Sequence, residues 1–99
     1  MAAWQSKITD ELCEAILSLR TKEECYAFLE DICTIKEVLD ISQRLTVAKM
    51  LRSGISYSTI SAQTGASTAT ISRVSKCCEY GAGGYKTVLD RLEENSNDQ

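Results

Sequence analysis

From Gly65 to Lys76 the chain reads GASTATISRVSK, a run of hydroxyls and methyls closed by one arginine and one lysine. Side chains of this kind are poor general acids and bases. Hydroxyls do donate and accept hydrogen bonds, methyls allow a close approach, and the two cations suit an anionic surface. The chemistry on offer is recognition. The rest of the chain gives catalysis no better start, because it has no histidine and no suggestive carboxylate pair or activated serine or cysteine. The chain therefore reads as a non-enzyme. Five cysteines, at 13, 25, 33, 77 and 78, form no CxxC pair. Reduced thiols are expected, with no metal site and no cofactor. Cys13, Cys25 and Cys33 read as small buried hydrophobes, while Cys77 and Cys78 stand side by side after Lys76.

The net charge is −3, from 11 basic and 14 acidic residues, but the distribution is uneven. Residues 1–40 hold four basic and nine acidic side chains, and residues 79–99 hold two and five. Residues 41–78 hold five basic side chains (Arg44, Lys49, Arg52, Arg73, Lys76) and not one carboxylate. Such a gap inside an acidic chain keeps a surface open to an anion. No apolar run approaches the length of a membrane span, and the opening MAAWQSKITDE lacks the apolar block of a secretory signal. A soluble cytoplasmic protein is expected.

The elements that must position the recognition residues are helical throughout. There is no proline, and glycine occurs only at 54, 65, 81, 83 and 84. Leu12, Ile16 and Leu19 mark a first helix after Thr9-Asp10-Glu11. Thr21-Lys22-Glu23-Glu24 and Thr34-Ile35-Lys36-Glu37 are capping boxes opening a second and a third helix. Cys25, Phe28, Leu29 and Ile32 give the second its apolar side, and Val38, Ile41, Leu45, Ala48 and Leu51 give the third its own. Gly54 ends the third helix; Ser56 caps a fourth over Tyr57–Thr64. Ser67 caps a fifth, Thr68 to Tyr80. GAGG at 81–84 is a joint, and Val88, Leu89 and Leu92 mark a short last helix. A single all-α domain over residues 1–94 is expected, with residues 95–99 a disordered tail.

Gly65 permits the left-handed backbone at which one short helix stops and the next leaves steeply. Ile60, Ile71 and Val74 then meet in the wedge between the two helices, with Ser61 and Ala62 small enough for close approach. That pattern is a helix-turn-helix at about residues 56–80. In that motif the second helix enters the major groove of a duplex, so double-stranded DNA is the expected partner. A hairpin used only for packing would show Leu, Lys and Glu outward; here the outward face carries Thr68, Ala69, Thr70, Ser72, Arg73 and Lys76.

MLRSGISYSTISAQTGASTATISRVSK resembles the Trp repressor superfamily. With KEECYAFLEDICTIKEVLDISQRL before it and YGAGGY after it, the chain is similar to the YerC/YecD branch, from about Lys7 to Glu94. The resemblance implies about six helices, an interlaced homodimer joined through the N-terminal helices, and a transcriptional regulator that presents two helix-turn-helix heads. Two heads would reach successive major grooves about 34 Å apart. Amphipathic helices short of a partner in so small a chain make that dimer physically sensible.

By the same resemblance, Thr68, Ala69 and Ser72 read bases, and Tyr57, Ser58, Ser61 and Thr70 face phosphates. Ser67 and Arg73 complete the DNA-binding set, and charge alone adds Lys76, with Lys49 and Arg52 as further candidates. The family holds an indole ligand between head and core with two arginines. One matches Arg73; the other falls on Gln43, with Arg44 one place on and turned by about 100° around the helix. Gln43, Arg44 and Arg73 thus frame a possible effector pocket, and the mismatch argues against tryptophan as its occupant. The competing expectation is a protein-interaction module that kept the fold without specific DNA binding, since no Arg or Gln stands at a base-reading position. Trp4 reads as a staple over the dimer surface, and Tyr26 and Phe28 as packing residues. Tyr80 and Tyr85 are placed to pin the last helix against the head.

Overall fold

The computed structural model describes residues 3–97, and the described residues form six α-helices and no strand. They are α1 (Lys7–Leu17), α2 (Lys22–Ile32), α3 (Ile35–Arg52), α4 (Tyr57–Thr64), α5 (Thr68–Tyr80) and α6 (Gly84–Asn97). The expected all-α class holds. The chain divides into two compact units, Met1–Val38 and Leu39–Gln99, with the boundary inside α3.

In the first unit each helix opens on a hydroxyl. Ser6 caps α1: its backbone N–H donates to Thr9 Oγ1 at 2.8 Å, and the Thr9 N–H points back at Ser6 Oγ. The helix therefore starts before the expected Thr9, on a capping box made of two hydroxyls, and Leu19 lies beyond its end. Thr21 caps α2 through the Glu24 N–H at 3.1 Å, and the Glu24 carboxylate accepts from the Arg20 N–H at 2.8 Å. Thr34 and Glu37 form the full reciprocal box at the head of α3, at 3.1 and 2.8 Å. The Thr34 backbone N–H, and then its hydroxyl, hold the Glu37 carboxyl below the usual range.

Neither α1 nor α2 contains a buried residue. Ile8, Leu12, Ile16, Leu17, Tyr26 and Ile32 are all exposed, as is Trp4. Cys13 is exposed too, and Cys25 and Cys33 are only half-buried, so the three thiols are not the buried hydrophobes expected. Within its own unit the apolar stripe of α1 has nothing to cover it.

The second unit holds the core: Val47 and Ala48 from α3, Ile60 from α4, Ala66 from the turn, Ile71 and Val74 from α5, and Leu89 from α6. Leu45, Met50, Leu51, Ile55 and Tyr85 pack around it. On α3 the buried side runs through Val47, which the apolar spacing passed over, whereas Ile41 is 53% exposed. Gly54 closes α3 with φ 78°, its N–H on Leu51 O at 3.0 Å, and the Ile55 N–H returns to Met50 O at 3.1 Å.

The last helix is longer than its three leucine and valine positions suggested. It begins inside GAGG, at Gly84, and continues through Asn97, so residues 95–97, expected in a frayed tail, are helical. Residues 98 and 99 lie outside the described residues. Ion pairs tie α6 to α3: Arg52 binds Asp90 and, at 3.2 Å, Glu93, while within α6 Lys86 bridges to Asp90 at 2.8 Å. Tyr85 is half-buried against the core, but Tyr80 is exposed and pins nothing.

Candidate nucleic-acid interface

Three local devices fix the bend between α4 and α5. Ser56 Oγ accepts the Thr59 N–H at 3.3 Å and starts α4; Gly65, at φ 75°, ends it with its N–H on Ser61 O at 2.9 Å. A Cβ at Gly65 would meet nothing within 4 Å. The left-handed backbone, not lack of space, reserves the position for glycine. Ser67 Oγ then accepts the Thr70 N–H at 3.1 Å and starts α5.

The turn is also stitched from inside. Thr64 Oγ1 donates to Ile60 O at 2.7 Å and accepts the Ala66 N–H at 3.1 Å, and Ser61 Oγ donates to Ala66 O at 2.9 Å. Gln43 Nε2 on α3 donates to Thr64 O at 3.0 Å and ties the end of α4 to the long helix. Below these bonds Ile60, Ile71 and Val74 are at most 2% exposed. The wedge read from the spacing is the core of the head.

Burying Ile71 and Val74 turns the opposite side of α5 outward. Thr68, Ala69, Arg73 and Lys76 are exposed, and Ser72 and Thr70 are half-exposed. Tyr57 and Ser58 stand exposed at the start of α4. Two of the expected contact residues have other work: the Ser61 hydroxyl bonds the turn, and the Ser67 hydroxyl caps α5. Arg52 is committed to Asp90 and Glu93 on α6, whose hydrogen bond and charge hold its guanidinium even more firmly protonated, so it is not a free cation. Arg73 and Lys76 make no ion pair among the described residues.

Gln43, Arg44 and Arg73 do come together. They line a cleft of about 340 Å³ with Asp40, Thr70, Val74, Cys77 and Tyr85. A second, largely apolar cleft of about 630 Å³ adjoins it, sharing Arg44, Cys77 and Tyr85 and adding Ile41, Leu45 and Val88. Burial pushes the Tyr85 phenol up, with Cys77 and Cys78 adding to the effect and Arg44 opposing it. No group of three or more metal-binding side chains occurs among the described residues, and none of the described helices is long and apolar enough to cross a membrane.

The family model for the Trp repressor protein matches residues 7–93. The chain belongs to the Trp repressor family. Its sequence is 50% identical to YerC of Bacillus subtilis (strain 168), an uncharacterized protein, over 94 residues that cover 95% of this chain and 90% of YerC. That places it in the YerC-like branch. A crystal structure of a TrpR like protein from Eubacterium eligens ATCC 27750 superposes with a TM-score of 0.87 at 50% identity, covering 90% of this chain and 92% of that one. A Staphylococcus aureus crystal structure does so with a TM-score of 0.86 at 48% identity, covering 90% and 89%.

Within this Trp repressor fold, Gln43 has a role that its neighbours in sequence do not reveal. The resemblance set it at an effector-clamp position; in the structure its amide is also a strut between α3 and the end of α4. A partner 21 positions away cannot be seen in any local pattern. Ser61 likewise bonds within the turn, because a short hydroxyl suits a phosphate and a backbone carbonyl equally well.

Proposed function

We propose that this protein is a sequence-specific DNA-binding transcriptional regulator that acts as a homodimer. The observation that carries the reading is the outward side of α5. It shows Thr68, Ala69, Ser72, Arg73 and Lys76 on a helix whose other side is locked by Ile71 and Val74, within a segment of 38 residues that has no carboxylate. Low side chains let the helix seat deeply, and two unpaired cations meet phosphates. Thr70, Tyr57 and Ser58 flank that surface as hydrogen-bond donors to the backbone, while Ser61 and Ser67 shape it from behind. Family membership supports the same reading.

The partner in the dimer is a second copy of the chain, covering the exposed apolar residues of α1 and α2. One head with so few cations would bind weakly at physiological salt, and two double the contacts. The Gln43, Arg44 and Arg73 cleft is the family's effector position. Here one would-be clamp is neutral and already bonded to Thr64 O, so tryptophan is not the ligand this chain selects.

Selection of random duplexes by the full-length protein, followed by fluorescence anisotropy, tests the proposal. A shared, roughly palindromic sequence should be enriched, and Thr68→Glu with Ser72→Glu should abolish its binding. No enrichment, or binding that both glutamates leave intact, would instead favour a protein-interaction module.

A further inference from the structure

Cys77 is an exposed thiol that lines both of the adjoining clefts beside α5. In the polar cleft it shares the wall with Arg44 and Arg73, neither of which pairs with a carboxylate among the described residues. Asp40 is the one acidic side chain lining that cleft. The adjoining cleft offers Ile41, Leu45 and Val88 as an apolar bed. Volumes of about 340 and 630 Å³ fall within the range of small-molecule sites, about 300–1,000 Å³.

We propose that Cys77 is a site of covalent modification by small, carboxylate-bearing disulfides, which Arg44 and Arg73 guide to the thiol. The exchange balances without any further oxidant. Cys77 Sγ gives its proton to solvent, and the thiolate attacks one sulfur of the incoming disulfide. The new Cys77 sulfur–sulfur bond forms as the old one breaks, and the other half leaves as a thiolate that takes a proton from solvent. Cys77 sulfur is oxidised and the leaving sulfur reduced.

The chain supplies its own controls. Cys13 is also exposed in the single chain, but its neighbours along α1 are Asp10, Glu11 and Glu14. Cys78 faces a different cleft, about 370 Å³, beside Glu79 and Lys86. Burial, then the neighbouring Cys77 and Glu79, push the Cys78 thiol up and leave less of it as thiolate. Exchange at Cys77 does not depend on the DNA reading. Its consequence does: an adduct would place carboxylates beside Arg73 and Thr70 on α5 and weaken binding to a duplex.

The test is a time course of the full-length, reduced protein with oxidised glutathione and, separately, with cystamine, its cationic counterpart, read by peptide mass mapping. Glutathione should modify Cys77 about fivefold or more faster than Cys13 at low salt, and cystamine should remove or reverse that order. Arg44→Gln with Arg73→Gln should slow glutathione at Cys77 and leave cystamine unslowed. The proposal is overturned if Cys13 or Cys78 takes the glutathione adduct first, or if both disulfides give the same site order. Anisotropy of the modified protein on a selected duplex is a separate arm. Should the protein bind no DNA at all, the site order still decides the thiol proposal.

Discussion

Among the described helices α1 carries the most pronounced apolar stripe, yet it is the helices from Leu39 onward that bury theirs. In the first, Leu12 and Ile16 lie on one side of α1 and remain 42% and 51% exposed. In the second, Ile60 and Ile71 reach zero exposure. The difference is where the partner is. The head finds its partners within the chain, through a turn that folds α4 onto α5 and an α6 returned against α3. The stripe of α1 is complete as a pattern and incomplete as a structure. An amphipathic period records that a face will be covered, without recording by what.

Substitutions in the two regions should therefore fail differently. Ile71→Ala opens a cavity in a fully enclosed site and should cost about 2–5 kcal/mol, measured by urea unfolding. If it costs as little as a surface change, the head is not the stable core described here. Leu12→Glu with Ile16→Glu should leave the head intact and act on assembly, weakening self-association by about 2 kcal/mol or more in sedimentation equilibrium. An unchanged association constant would mean that the α1 face is not the interface between copies.

How far the sequence carried this description also differs between regions. Caps at Thr21, Thr34, Ser56 and Ser67, and the stops at Gly54 and Gly65, are short-range chemistry and were readable as written. So was the buried trio Ile60, Ile71 and Val74, because its spacing around a glycine admits few arrangements. The Ser6–Thr9 box was missed because two hydroxyls replace the usual hydroxyl and carboxylate. What depends on distant partners was not readable: the amide strut from Gln43, and the pairing of Arg52 with α6. Each of these side chains looked suited to a ligand, and each is satisfied by the protein.

Two smaller effects sharpen the contrast. Gln43→Ala leaves Thr64 O without its donor, and should lower stability by about 1 kcal/mol. Amide exchange should quicken at Gly65 and Ala66 and stay unchanged in α1. Equal protection in the variant and the unsubstituted protein would show that the strut holds nothing.

The smallest effect concerns acid. Lys86 and then Arg52 hold the Asp90 carboxyl below its usual range. A group depressed in the folded state favours folding above its unfolded pKa of about 4, and that contribution disappears as pH falls through the folded value. Asp90→Asn should therefore lower the melting temperature slightly at pH 7 and converge with the unsubstituted protein under strongly acidic conditions. Glu37, held down by Thr34, responds with the same sign in the first unit and remains in the variant as an internal reference.

The most direct test of the central claim, that α5 presents a low, cationic face to a duplex, is the salt dependence of binding to a selected operator. Anisotropy between about 50 and 200 mM salt should give a straight, negative slope of log affinity against log salt, less steep by about one or two units in Lys76→Ala because each of two heads loses a phosphate contact. A slope near zero, or one that Lys76→Ala leaves unchanged while affinity stays the same, would contradict the account.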